Sequence, residues 1–194
     1  MLKKLVLCVT ALFCIAFLAS CGQKMGSADE LKDIYGDSNG FHLYQKDSNL
    51  YVSGNYNFEL YSGGKTTLND YMGEKYLIVN IWATTCTYCI QGIPDFVDFE
   101  SENNDKVRVI YLNSGETRGT IDNFLIGNPQ PFNTDNILLD ESKQICTTLQ
   151  LSNIPICIVF GPDGRLLKIS EGKQNKNSLQ TLLNASIAAN SSAS

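Results

Sequence analysis

Histidine is almost absent from this chain: His42 is the only one in 194 residues. It lies far in sequence from every cysteine, so it is expected at the surface, as neither a catalytic base nor a metal ligand. Basic residues are in deficit, with 15 Lys and Arg against 20 Asp and Glu and a formal net charge of −5. That balance argues against a general nucleic-acid or anionic-lipid surface, and no nucleic-acid partner is expected. The apolar stretch from Leu5 to Leu18, interrupted only by Thr10, falls short of the roughly 20 residues of a membrane span. There is no internal repeat. What is present is ordinary globular composition, 43% hydrophobic and 18% charged, in a chain long enough for one domain with extensions.

The N-terminus reads as a targeting segment, expected to carry no fold information. Met1 to Lys4 supplies a positive flank, the apolar stretch follows, and Leu18-Ala-Ser-Cys21-Gly22 resembles a bacterial lipobox. That resemblance implies cleavage after residue 20 and lipidation of Cys21, with the acyl chains holding the domain to a membrane outside the cytoplasm. Lys3 and Lys4 leave with the leader, taking 15 basic residues to 13 against 20 acidic, so the mature charge is −7. Cys8 and Cys14 leave too, and Cys21 is spent on lipid. Four of the seven cysteines remain, Cys86, Cys89, Cys146 and Cys157, an even number that permits two disulfides in an oxidising compartment.

Residues 21–53 read as a tether and N-terminal extension, with Gln23 to Ala28 too polar to be held in a core and Leu31 to Leu50 ambiguous. Residues 54–187 read as the folded domain, and 188–194 as a disordered tail. Within the domain, Phe58 to Leu68 has a hairpin signature around Ser62-Gly-Gly-Lys65. Strands are expected at Tyr76–Trp82, Lys106–Leu112, Asn136–Leu139, Ile156–Phe160 and Arg165–Ile169. Helices are expected at Cys89–Glu102, Thr117–Ile126 (N-capped by Thr117), Asp140–Leu149 and Asn177–Ile187. Strands alternating with helices imply parallel crossovers, and the last hairpin adds an antiparallel edge. The class is α/β: a central mixed sheet with helices on both faces and an N-terminal β-hairpin extension.

The chemistry is concentrated in Trp82-Ala-Thr-Thr-Cys86-Thr-Tyr-Cys89, directly after the apolar strand. Two cysteines separated by two residues, where a strand gives way to a helix, can close a small disulfide, and no other partner is as near. Thiols at a helix N-terminus are biased toward thiolate, the species that attacks disulfides. The same spacing serves zinc sites, which would need two further ligands.

Four segments carry a resemblance to the thioredoxin-like superfamily, and within it to the membrane-tethered TlpA/ResA type of thiol–disulfide oxidoreductase. They are Gly63 to Leu68, Val79 to Cys89, Leu151-Ser-Asn-Ile154-Pro155, and Phe160-Gly-Pro-Asp-Gly164. The resemblance implies a redox-active Cys86–Cys89 pair, with Cys86 the exposed nucleophile and Cys89 the resolving thiol. It implies a cis Pro155 facing the pair, with Ile154 and Pro155 in substrate contact and Trp82 either joining them beside the thiols or serving only as a core tryptophan. It implies no cofactor and no metal, protein thiol or disulfide substrates, a membrane thiol reductase as electron donor, and a monomer. Two positions bear on tuning. Gly92 stands where many relatives carry a Glu, and Asn80, as is usual in the tethered branch, stands where cytoplasmic thioredoxins bury an Asp, leaving Asp95 and Asp98 as carboxylates that either serve Cys89 or form a solvated helix face.

Cys146 and Cys157 leave three alternatives: a second disulfide, closing a loop for roughly 3 kcal/mol, two buried free thiols, or a second redox relay. Other functional classes are a peroxidase of the peroxiredoxin type, against which the second cysteine argues, a copper-handling module in which His42 reaches the cysteines, and a redox-silent binding domain.

Overall fold

The structure is a computed structural model that describes residues 33–35 and 39–192. The leader, Cys21 and residues 23–28 lie outside the described residues. Residues 32–194 group as one compact unit.

Among the described residues, ten strands form two sheets. A small antiparallel sheet holds β1 (Asp33–Tyr35), β2 (Leu43–Lys46) and β3 (Asn49–Val52), in that order. The main sheet holds β4 (Phe58–Leu60), β5 (Lys65–Thr66), β6 (Tyr76–Trp82), β7 (Val107–Ser114), β8 (Ile137–Asp140), β9 (Ile156–Phe160) and β10 (Leu166–Glu171). Its order is β10-β9-β6-β7-β8-β4-β5. Only β6-β7-β8 run parallel, and the flanking hairpins make the sheet mixed. The helices are α1 (Thr87–Glu102), α2 (Arg118–Gly127), α3 (Gln144–Thr148) and α4 (Lys176–Ser191).

The central strand β6 is apolar nearly throughout because it is buried on both faces. Its period of two splits the core. Ile78 and Trp82 join Phe96 and Phe99 of α1, Ile121 of α2, and Leu179 and Leu183 of α4. Leu77, Val79 and Ile81 join the opposite cluster, with Phe41, Leu43, Val52, Phe58 and Ile145. Each such side chain contributes about 1.5–3 kcal/mol on full burial. Helices thus lie on both faces, but the small sheet covers much of the second one.

Three sequence expectations change here. The first concerns His42 and the extension that carries it, whose ambiguous segment forms β2 and β3. The extension shares the domain's core, the Val52 N–H donates to the Gly164 carbonyl at 3.0 Å, and Tyr51 bridges Arg165. His42 is correspondingly buried, 5% exposed, because its neighbours Phe41 and Leu43 are pulled into the sheet interface. Second, α4 continues to Ser191, so residues 188–191 are helical, not tail. Third, α3 is shorter than the expected helix over 140–149. Asp140 is the last residue of β8, and its buried carboxylate accepts from the N–H groups of Gln144 (2.8 Å) and Ile145 (3.1 Å). The carboxylate caps the helix that sequence periodicity placed it inside.

Candidate active site

Trp82 ends β6 at the edge of the sheet where parallel strands point their carboxyl ends, and α1 starts five residues later. Cys86 is the N-cap of α1. Its backbone is extended, its carbonyl accepts from Ile90 N (3.1 Å), and its Sγ accepts from Cys89 N (3.2 Å). The two cysteines form a disulfide with Cα atoms 5.2 Å apart. Cys86 is half-buried and Cys89 only 2% exposed. An incoming thiolate therefore reaches Cys86 and expels Cys89 as the thiolate; when Cys86 is itself released as a thiolate, its charge meets the Cys89 N–H and the positive end of α1. Tyr88, between the two, is 66% exposed and extends the reachable surface.

The peptide bond Ile154–Pro155 is cis. Ladder pairing of β9 with β10 and β6 begins only at Ile156, leaving the Ile154 backbone outside both ladders. Ile154 packs against the cluster that contains Cys89 and Cys86. Cys86 and Ile154 are thus both partly buried against one cluster, and Tyr88 beside Cys86 is exposed.

Trp82 takes the position of a core tryptophan. Its ring is 0% exposed, packed against Phe124 (6.1 Å between centroids) and Phe132 (5.5 Å). In this oxidised state it supports the site from beneath and offers a partner no surface.

A residue that sequence reasoning missed holds the loop between Trp82 and Cys86. Glu116 follows β7, and its carboxylate accepts from Thr84 N (2.8 Å), Thr84 Oγ1 (2.6 Å) and Asn113 Nδ2 (2.7 Å). Gly115, with φ +81°, makes the reversal that brings Glu116 back over the loop. No spacing rule marks a carboxylate 30 positions downstream. The parallel register of Trp82 with Asn113 creates the meeting. Glu116→Ala strands three donors, two of them beside the nucleophile. Because the carboxylate is half-exposed and water replaces part of it, a stability loss of about 2 kcal/mol is expected, read as a shift of the urea midpoint. About tenfold should be lost in the rate of protein-disulfide reduction, since a displaced loop misplaces Cys86. Wild-type rates in Glu116→Ala would refute the positioning role.

A thioredoxin-like family profile matches residues 73–166. The thiol–disulfide oxidoreductase ResA of Bacillus subtilis (strain 168) is 23% identical over 131 residues, spanning 67% of this chain and 71% of the relative. The thioredoxin-like protein YneN of the same organism is 26% identical over 158 residues, spanning 74% of this chain and 88% of the relative. Among solved structures, the pneumococcal exposed lipoprotein thioredoxin Etrx1 from Streptococcus pneumoniae strain TIGR4 superposes with a TM-score of 0.57 at 24% identity, covering 66% of this chain and 98% of that one. StoA from Bacillus subtilis gives 0.54 at 17%, covering 66% and 95%. The chain has the thioredoxin-like fold, and its activity is thiol–disulfide oxidoreduction.

Cys146 and Cys157 are free thiols, both buried. They are not bridged because they sit in different cores: Cys157 shares the face of Val159 beneath α1, whereas Cys146 lies with Ile145 in the opposite cluster, its Sγ 3.8 Å from Ser114 Oγ. Of the three alternatives the structure shows the two buried free thiols, and the sheet between them also separates Cys146 from Cys89. Burial pushes both thiols up, Cys157 to about 12. Gly92 is buried against Gln174, so no side chain projects there. Asp98 is exposed, and Asp95 faces the N-terminus of α4, with Lys176 N 3.4 Å from its Oδ1. Among the described residues, no three His, Cys, Asp or Glu side chains gather as metal ligands.

Proposed function

We propose that this protein is an extracytoplasmic, lipid-anchored reductant of protein disulfides, working as a monomer and recharged by a membrane thiol reductase. The observation that carries the redox part is the Cys86–Cys89 disulfide at the N-terminus of α1, with its reachable sulfur on Cys86 and a free strand end at Ile154. The anchor rests on Leu18-Ala-Ser-Cys21 and on likeness to a neighbour that is itself described as an exposed lipoprotein.

The cycle follows from the geometry. The dithiol form attacks a substrate disulfide with the Cys86 thiolate, the substrate S–S bond breaks, and one substrate sulfur leaves as a thiolate and takes a proton. Ile154 and Tyr88 hold the mixed disulfide. Cys89 then loses its proton and attacks Cys86 Sγ, expelling the second substrate sulfur as a thiolate and regenerating the disulfide seen here. The electron-donating partner reverses these steps with its own dithiol.

Equilibration of the Cys86–Cys89 couple against glutathione tests the direction. A potential near that of thioredoxin, about −270 mV, is expected, and one near −120 mV would make the protein an oxidant. Cys21→Ala is expected to move the protein from the membrane fraction to the soluble one. Retention of this variant on membranes would remove the lipid anchor from the reading.

A further inference from the structure

Buried polar groups are ordinarily hydrogen-bonded, and each exception calls for a cause. Asn80 in the middle of β6 is 1% exposed, and its Nδ2 has no partner. Strand alternation puts its side chain on the face of Ile78 and Trp82, the face that α1 covers. The ladders set it opposite Cys157 of β9 and Tyr111 of β7. Ile78, Trp82, Tyr111, Cys157 and Cys89 all belong to one buried cluster, and Cys89 is the first buried residue of the covering helix. An amide donor is therefore held in an apolar layer that already contains the less accessible sulfur of the redox pair.

In the disulfide, the Cys89 sulfur is neutral and a weak acceptor. Reduction changes that. A partner thiolate attacks Cys86 Sγ, the Cys86–Cys89 bond breaks, and Cys89 leaves with the bonding electron pair as a thiolate. The partner's second thiol, having lost its proton to solvent, then attacks the mixed disulfide. Cys86 is released as a thiolate, and the partner leaves as a disulfide. The two thiolates take up protons according to their surroundings. Neither free thiol competes for the donor: Cys157 stays protonated at neutral pH because burial raises it to about 12, and Cys146 lies across the sheet.

We propose that Asn80 Nδ2 is the hydrogen-bond donor to the Cys89 sulfur in the reduced protein, so that a donor unpaired in the disulfide form is paired in the dithiol form. The inference rests on the oxidoreductase reading and deepens it. It makes Asn80 a determinant of redox poise: pairing the donor only after reduction favours the dithiol.

The test uses the full chain in detergent, as wild type and Asn80→Leu, equilibrated with glutathione. Leucine keeps the volume and removes the donor. The equilibrium constant for reduction is expected to fall about tenfold, which is about 30 mV more negative. A shift of threefold or more toward the disulfide supports the proposal, and a smaller or opposite shift overturns it. Urea unfolding of both redox forms separates this from a structural role, which would move the two forms equally. Should Asn80→Leu not fold, the wild-type side-chain amide gives the answer by nuclear magnetic resonance. Its proton resonances are expected to move downfield and exchange more slowly on reduction, and unchanged resonances would overturn the proposal. The absolute potential of the wild type decides the direction of electron flow, while the difference between the two proteins decides the role of Asn80, so the two readings fail separately.

Discussion

Cys86→Ser is expected to bring insulin reduction in the presence of dithiothreitol to the rate of dithiothreitol alone. The serine hydroxyl at the α1 N-cap is not ionised at neutral pH and attacks no disulfide, whereas the thiolate it replaces is the attacking species. Fold and stability should survive, because serine is a good N-cap and accepts from the Cys89 N–H as the sulfur does. Cys89→Ala should fail in a different way. The first attack proceeds, but the mixed disulfide on Cys86 has no resolving thiol 5.2 Å away, measured between Cα atoms. The variant should therefore accumulate covalent adducts on non-reducing gels, dispersed by dithiothreitol. Equal rates for wild type and Cys86→Ser would remove the redox role altogether and leave a binding domain.

The reason so much of this site was legible lies in where its information sits. Cys86, Cys89, Pro155 and the strand before them are local signals: spacing, an apolar run, an Ile-Pro step, each readable within ten residues. The strands and long helices followed from periodicity for the same reason. What escaped was set by register between distant segments. Glu116 reaches Thr84 because β7 lies beside β6, and nothing in Asn113-Ser-Gly-Glu116 announces it. The fate of Cys146 and Cys157 turned on parity across a strand and a short helix. Eleven residues of separation allow a bridge, and the sheet between them forbids it. His42 was misplaced because its polarity argues for solvent, while Phe41 and Leu43, both 0% exposed, take the segment into the core. Gly92 and Asn80 stand out in the sequence for the carboxylates they lack, yet only the packing shows what surrounds them: the Gln174 segment at one, an unpaired amide at the other.

Trp82→Ala is expected to be the most damaging single change to stability, about 3–5 kcal/mol, because it empties a fully buried aromatic site that cannot collapse. The ring touches Phe124 and Phe132, and Phe132 also packs on Tyr111 at 4.8 Å, so the cavity would open under α2 and the strand behind the site together. The urea midpoint should fall with little change in slope. Trp82→Phe separates this packing from any part in catalysis. It keeps an aromatic ring, removes the unpaired Nε1, and should cost less than about 1.5 kcal/mol. If the ring acts only from beneath, kcat/KM for a protein disulfide should stay within about threefold of wild type. A loss beyond about tenfold at unchanged stability would mean that the ring comes to the surface in the reduced protein and touches its partner there, restoring the contact that its burial in the oxidised state denies.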